Sequence, residues 1–191
     1  MTRTHRFAWI LATALVASLM PAPAAADLRA TAFGGSTRLN ETNKGTLGAA
    51  VTFGGLIGVE FEVARVWLGS LEALDVVEVE ANLTTYMGNF VLRLPTGPVQ
   101  PYASAGVGIV RATGNLNVPF SGSTASATGR DVGWNSGVGV YLFPSENFGF
   151  RADVRRFQTA EVSWENIAGI GNVALPKFNF FRATAGITLK F

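Results

Sequence analysis

Glu60 and Glu62 stand two residues apart, and so do Arg151, Asp153 and Arg155; Arg182 and Lys190 add basic residues near the C-terminus. A spacing of two places side chains on one face of an extended strand, because successive residues point to opposite sides. Paired carboxylates are what retaining glycosidases use. The same alternation of acids and bases also suits an ion-conducting constellation, or a plug in which the charges neutralise one another. Other chemistries lack their parts. The 191-residue chain has no Cys, and its one His, His5, lies in an N-terminal segment expected to be removed, so a serine of the mature chain has no imidazole to take its proton. No Gly-x-Ser-x-Gly elbow, phosphate loop or metal-ligand cluster is present. The sequence therefore predicts no catalytic residue, no cofactor and no metal.

The N-terminus reads as an export address. Arg3 and Arg6 precede an uncharged, mostly apolar run from Phe7 to Met20, which Pro21 and Pro23 break. Ala24 and Ala26 then supply small residues at the positions that signal peptidase requires. The run of about 14 residues is short of the ~20 that a helix needs to span a bilayer. Residues 1–26 are expected to be a cleavable signal peptide, with a mature chain of 165 residues starting at Asp27. Removing Arg3 and Arg6 from the 15 basic residues leaves 13 against 13 acidic ones, a net charge of zero. Nucleic acid is not an expected partner.

The remainder is hydrophobic and rich in glycine, with alternation in place of a helical stripe. Short breaks fall at 54–58, 95–98 and 144–147, and longer polar ones near 38–45, 67–77, 112–130 and 159–177. Eight strands are predicted, at about 28–37, 46–54, 58–66, 79–94, 99–111, 131–143, 148–158 and 178–191. The alternation of short and long connections is that of an antiparallel up-and-down transmembrane β-barrel, with short periplasmic turns and four longer extracellular loops.

The two faces of the strands decide which solvent each side meets. In the last strand Phe181, Ala183, Ala185, Ile187, Leu189 and Phe191 oppose Arg182, Thr184, Gly186, Thr188 and Lys190. The third strand opposes Val59, Phe61 and Val63 to Glu60 and Glu62. The seventh opposes Phe148, Phe150, Ala152 and Val154 to Arg151, Asp153 and Arg155. The fourth is mixed: Leu83-Thr85-Met87 and Phe90-Leu92-Leu94 have opposite parity, so a bulge or a different register is expected there. A soluble sandwich would also alternate. The polar face, however, holds Gly48, Gly106, Gly108, Gly137, Gly139 and Gly186 beside long charged residues, as a crowded lumen requires; a solvated face gains nothing from glycine. Glu60, Glu62, Arg151, Asp153, Arg155, Arg182 and Lys190 are thus expected to fill the bore as a structural ion-pair plug.

The C-terminal run Thr184-Ala185-Gly186-Ile187-Thr188-Leu189-Lys190-Phe191 is similar to the assembly signal of outer-membrane barrels. With Pro101–Gly108 and Phe148–Arg155, it makes residues 27–191 resemble the OmpA-like and OmpX-like eight-stranded outer-membrane family. The resemblance implies insertion by the barrel-assembly machinery, with Thr184, Gly186, Ile187, Leu189 and Phe191 as the recognised element. The peptidoglycan-binding domain of long OmpA-type proteins has no counterpart here. Barrels of this size that are enzymes on lipids commonly rely on His, which residues 27–191 lack.

The sequence thus predicts a non-enzymatic protein of the bacterial outer membrane. It would serve envelope integrity, or present its extracellular loops to a surface partner; outer-membrane lipid is its other partner. The loop at 112–130, rich in Gly, Ser, Thr and Ala over 121–129, reads as mobile and weakly sticky. Trp67, Leu68, Trp164 and Ile167–Ile170 read as interfacial or loop-packing residues. A small porin-like channel or a conduit for apolar ligands is the alternative, and a soluble lipocalin-like carrier a remoter one.

Overall fold

A computed structural model describes residues 27–39, 42–72, 78–118, 123–159, 162–164, 173–175 and 179–191. Ala24, Ala26 and the rest of the expected signal peptide lie outside the described residues, as do Ile167–Ile170. The elements are β1 (Leu28–Leu39), β2 (Thr42–Gly54), β3 (Ile57–Glu72), β4 (Glu78–Arg93), β5 (Val99–Val118), β6 (Ser123–Leu142), β7 (Phe148–Thr159), β8 (Val162–Trp164), β9 (Val173–Leu175) and β10 (Asn179–Lys190). Neighbours pair antiparallel in the order β5-β4-β3-β2-β1-β10-β7-β6, and β5 pairs with β6 to close the ring. Eight strands form the wall. The short ribbon β8–β9 hangs on β6 through Gly129 and Arg130.

Closure gives each of the eight wall strands a neighbour on both sides, which is what a sheet in hydrocarbon requires. At one end lie the tight turns after β2, β4 and β6, together with the start of β1 and the end of β10. Gly54, with φ at 111°, turns β2 into β3 in a conformation that a side chain would strain. At the opposite end, the hairpin end, the strands run on beyond their expected limits.

The stretch 112–130 is not the loose loop expected from its composition. Ala112 pairs with Gly129 and the ladder continues to Val118 with Ser123. Small polar residues cannot build a core, but a two-stranded ribbon rooted in a barrel needs only its backbone ladder and the Thr and Val residues that favour it. Part of 159–177 is likewise paired, as β8 and β9.

The fourth strand is in unbroken register with β5 from Glu78 to Arg93. The irregularity lies in its partner β3, between Trp67 and Gly69, where Gly69 has φ at 79°. Leu83, Met87 and Val91 point inward while Phe90 and Leu92 point outward. The parity shifts because the bore is apolar at its ends, so β4 carries large apolar residues on both faces.

Elsewhere the alternation assigns the sides. Val154, Ile187, Phe61, Val107 and Val138 are exposed on the outer wall, whereas Arg151, Arg155 and Arg182 are buried. Phe53, Phe90, Phe148 and Phe150 face outward near the turn end. Trp67, Tyr86 and Trp134 do so toward the hairpin end, in the two-girdle pattern of outer-membrane barrels. Leu68 instead packs inward on the apolar cluster near Val66.

Ala185 is outward-facing in the middle of β10, and Thr184 is buried, donating to Asp153 Oδ1 at 3.0 Å. Ala185→Arg should cost about 2–4 kcal/mol and block assembly, while Thr184→Ser keeps the hydroxyl and should fold. Heat-modifiable gel mobility after refolding into vesicles checks both, and equal damage from the two would reverse the assignment of faces.

Candidate functional site

Three elements supply the charges that meet in the bore. β3 turns Glu60 and Glu62 inward, β7 turns Arg151, Asp153 and Arg155 inward, and β10 adds Arg182. Arg151 Nη1 donates to Glu60 Oε2 at 2.6 Å, and Arg155 Nη2 to Glu60 Oε1 at 2.8 Å. Arg155 Nη1 stands 3.2 Å from Glu62 Oε2, whose other oxygen accepts from Arg182. Asp153 takes Arg151 Nε at 2.9 Å and lies 3.5 Å from Arg155 Nε. Three cations and three anions form one neutral network. Glu60, Arg155 and Arg182 are 0% exposed, so water does not reach them.

Neutral groups add hydrogen bonds to the acids. Asn89 Nδ2 donates to Glu60 Oε1 at 3.0 Å, Thr52 to Oε2 at 3.2 Å, and Tyr102 to Asp153 at 2.7 Å. Asn135 in turn donates to Asn89 at 2.8 Å. Arg182 lies 4.5 Å from the Phe157 ring centroid, and Arg151 lies 5.2 Å from that of Tyr102. Guanidinium groups stack on such faces as ammonium groups do not. Glycines give these side chains room from the next strand. A Cβ on Gly137 would come 2.6 Å from Arg155 Cγ, and one on Gly139 2.5 Å from the Tyr102 hydroxyl.

Apolar clusters flank the ionic layer. Val66, Leu83, Met87, Val110, Phe157 and Phe180 pack on the hairpin side, and Val91, Tyr102, Tyr141 and Phe143 on the turn side. Among the described residues the bore is therefore filled by interlocking layers. Neither Glu60 nor Glu62 has an oxygen free of a cation, so neither is placed for acid–base work on a sugar.

Lys190 does not join the six. As the last residue of β10 it sits at the rim, where its Nζ is 3.1 Å from Asp27 Oδ1; its stem reaches the rim carboxylate, not the mid-bore acids. Asp27 also receives Arg29 at 2.6 Å and Arg93 at 3.2 Å, and Arg93 donates to the Gly54 and Gly55 carbonyls. This clasp ties β1, β4 and β10 together at the turn end. Sequence reasoning missed it. The inward parity of Arg29 was available from its strand, whereas Arg93 lies on the strand whose register was ambiguous. Of the expected assembly residues, Thr184 and Gly186 face inward and Ile187, Leu189 and Phe191 outward.

The profile of the outer membrane protein beta-barrel domain matches residues 11–188. The chain belongs to that family. Solved structures repeat the outer-membrane barrel fold. Neisserial surface protein A is 15% identical with a TM-score of 0.63, over 87% of this chain and 97% of its own. A major outer membrane protein of Thermus thermophilus is 13% identical with a TM-score of 0.65, over 87% and 100%. Ail, the attachment invasion locus protein of Yersinia pestis, is 13% identical with a TM-score of 0.53, over 87% and 97%. No curated protein sequence matches.

Glu60 is the hub of this outer-membrane barrel, holding Arg151 and Arg155 together. Glu60→Ala leaves both arginines short of a partner and should cost about 3–5 kcal/mol, read from urea titration in lipid vesicles. A loss below about 1 kcal/mol would mean that the lumen relaxes around the missing carboxylate.

Proposed function

We propose that the protein is a non-enzymatic integral outer-membrane barrel. It is exported by a signal peptide cleaved between Ala26 and Asp27 and inserted by the barrel-assembly machinery through its last strand. Its role lies at the surface: it strengthens the envelope and offers the hairpin end to an external partner. The observation that carries this reading is the sealed ionic layer at Glu60, Arg155 and Arg182, which leaves the outer wall and the hairpins as the surfaces on which anything else can act. A charge-balanced plug supports a structural role over transport, because an ion crossing it would have to break pairs buried in low dielectric. Ail, a barrel of the same fold, has been crystallised in complex with the heparin analogue sucrose octasulfate.

Planar-bilayer recording tests the reading. The purified protein should give no steady conductance, and stable unitary openings would favour the channel alternative. N-terminal sequencing of protein from the outer-membrane fraction should begin at Asp27. Recovery in an osmotic-shock supernatant without detergent would point to a soluble carrier.

A further inference from the structure

The outer face of β3–β6 changes character within one step of the register. Val63, Tyr86, Ile109 and Val132 pair across the four strands and face outward, 45–59% exposed. Two residues nearer the hairpin end, the row is Arg65, Thr84, Arg111 and Arg130. The next row is Trp67, Asn82, Thr113 and Thr128. Three arginines thus stand where the apolar belt gives way to polar residues, the depth of lipid headgroups.

The row repels itself. Arg111 and Arg130 are direct cross-strand partners, an arrangement that destabilises a sheet when the charges are alike. Among the described residues, none of the three guanidinium groups has an ion-pair or hydrogen-bond partner, and Arg111 Nε is buried without one. An outward arginine need not be bare. Arg156 donates to Asn179 at 3.1 Å and lies 5.7 Å from the Phe181 ring centroid.

Immediately on the membrane side of the row, the wall holds an apolar groove of about 580 Å³. Phe61, Val63, Tyr86 and Ile109 flank it, with the small Ala49 and Gly88 among its lining. At Gly88 the nearest atom to an added Cβ would be the Val107 carbonyl oxygen, 3.8 Å away.

We infer that this face binds a phosphorylated lipid of the outer leaflet, its phosphate on Arg65, Arg111 and Arg130 and an acyl chain in the groove. Guanidinium forks take phosphate oxygens in pairs, and the anion removes the repulsion between Arg111 and Arg130. A free phosphate would also neutralise the row, but it has no use for an apolar groove continuous with it. The inference rests on the barrel standing in the outer membrane with its hairpin end outward; it is independent of the sealed bore and of any hairpin partner.

The test is native mass spectrometry of the detergent-purified barrel with bisphosphorylated lipid A, its dephosphorylated form, or inorganic phosphate. The unaltered protein should retain the bisphosphorylated lipid about tenfold more than the dephosphorylated one. The R65Q/R111Q/R130Q variant should lose that preference. Gly88→Leu, which fills the groove and leaves the charges, should weaken retention several-fold, and Arg156→Gln should retain lipid normally. Heat-modifiable mobility shows that each variant is folded. Undiminished retention by the triple variant, or equal retention of the dephosphorylated lipid, overturns the site. Displacement of the lipid by millimolar phosphate together with full retention by Gly88→Leu assigns the row to a soluble anion and overturns the lipid. Failure of the membrane placement would appear separately, as protein absent from the outer-membrane fraction.

Discussion

Three guanidinium groups and three carboxylates are shut inside a ring of hydrogen-bonded strands, and neither set is tolerable there alone. In the ring, β3 is separated from β7 and β10 by β2 and β1 on one side, so the pairs reach across the bore. The acids of β3 cannot be matched until the second half of the chain arrives. Charge balance and closure of the cylinder are thus one event, because a half-built barrel would expose unmatched arginines to a low-dielectric surrounding. The Asp27 clasp repeats the logic at the rim, joining the beginning of the first strand to the end of the last. It is more exposed, and Lys190 and Asp27 meet water there.

Much of this was legible in the sequence because period-2 alternation is strict in β7 and β10. Arg151, Asp153, Arg155 and Arg182 carry their side in their position alone. The alternation also sets glycines beside the charges: Gly137 and Gly139 share the parity of the side chains they accommodate. Legibility fails where the contrast between faces fails. β4 places Leu83, Met87 and Val91 inside a bore that is apolar at both ends, and parity then carries no sign. It fails again in the ribbon of β5 and β6, whose Ser, Gly and Thr residues resemble a loop although their backbone groups are paired. Which charges pair across the bore was not readable at all, since that depends on register and shear.

The outer wall obeys the opposite chemistry. Its large apolar residues have no core to enter and are satisfied by hydrocarbon, so exposure that would threaten a soluble domain is here the condition of solubility in a bilayer. Sequence reading assigned that wall from strands 3, 7 and 8 but did not notice that Arg65, Arg111 and Arg130 line up. They lie 46 and 19 residues apart in the chain, and only the ladder of β3, β4, β5 and β6 makes them neighbours.

The overlong hairpin of β5 and β6 has a spatial consequence. From Arg111 the ladder continues through Val118, and seven further residues at about 3.3 Å each, tilted as barrel strands are, lift the last pair roughly 18 Å clear of the arginine row. That height is a mast set upon a low hull. It carries the Val118–Ser123 pair far beyond the closed wall, so that this end of the barrel presents a thin blade of paired backbone ahead of any other part of β5 and β6.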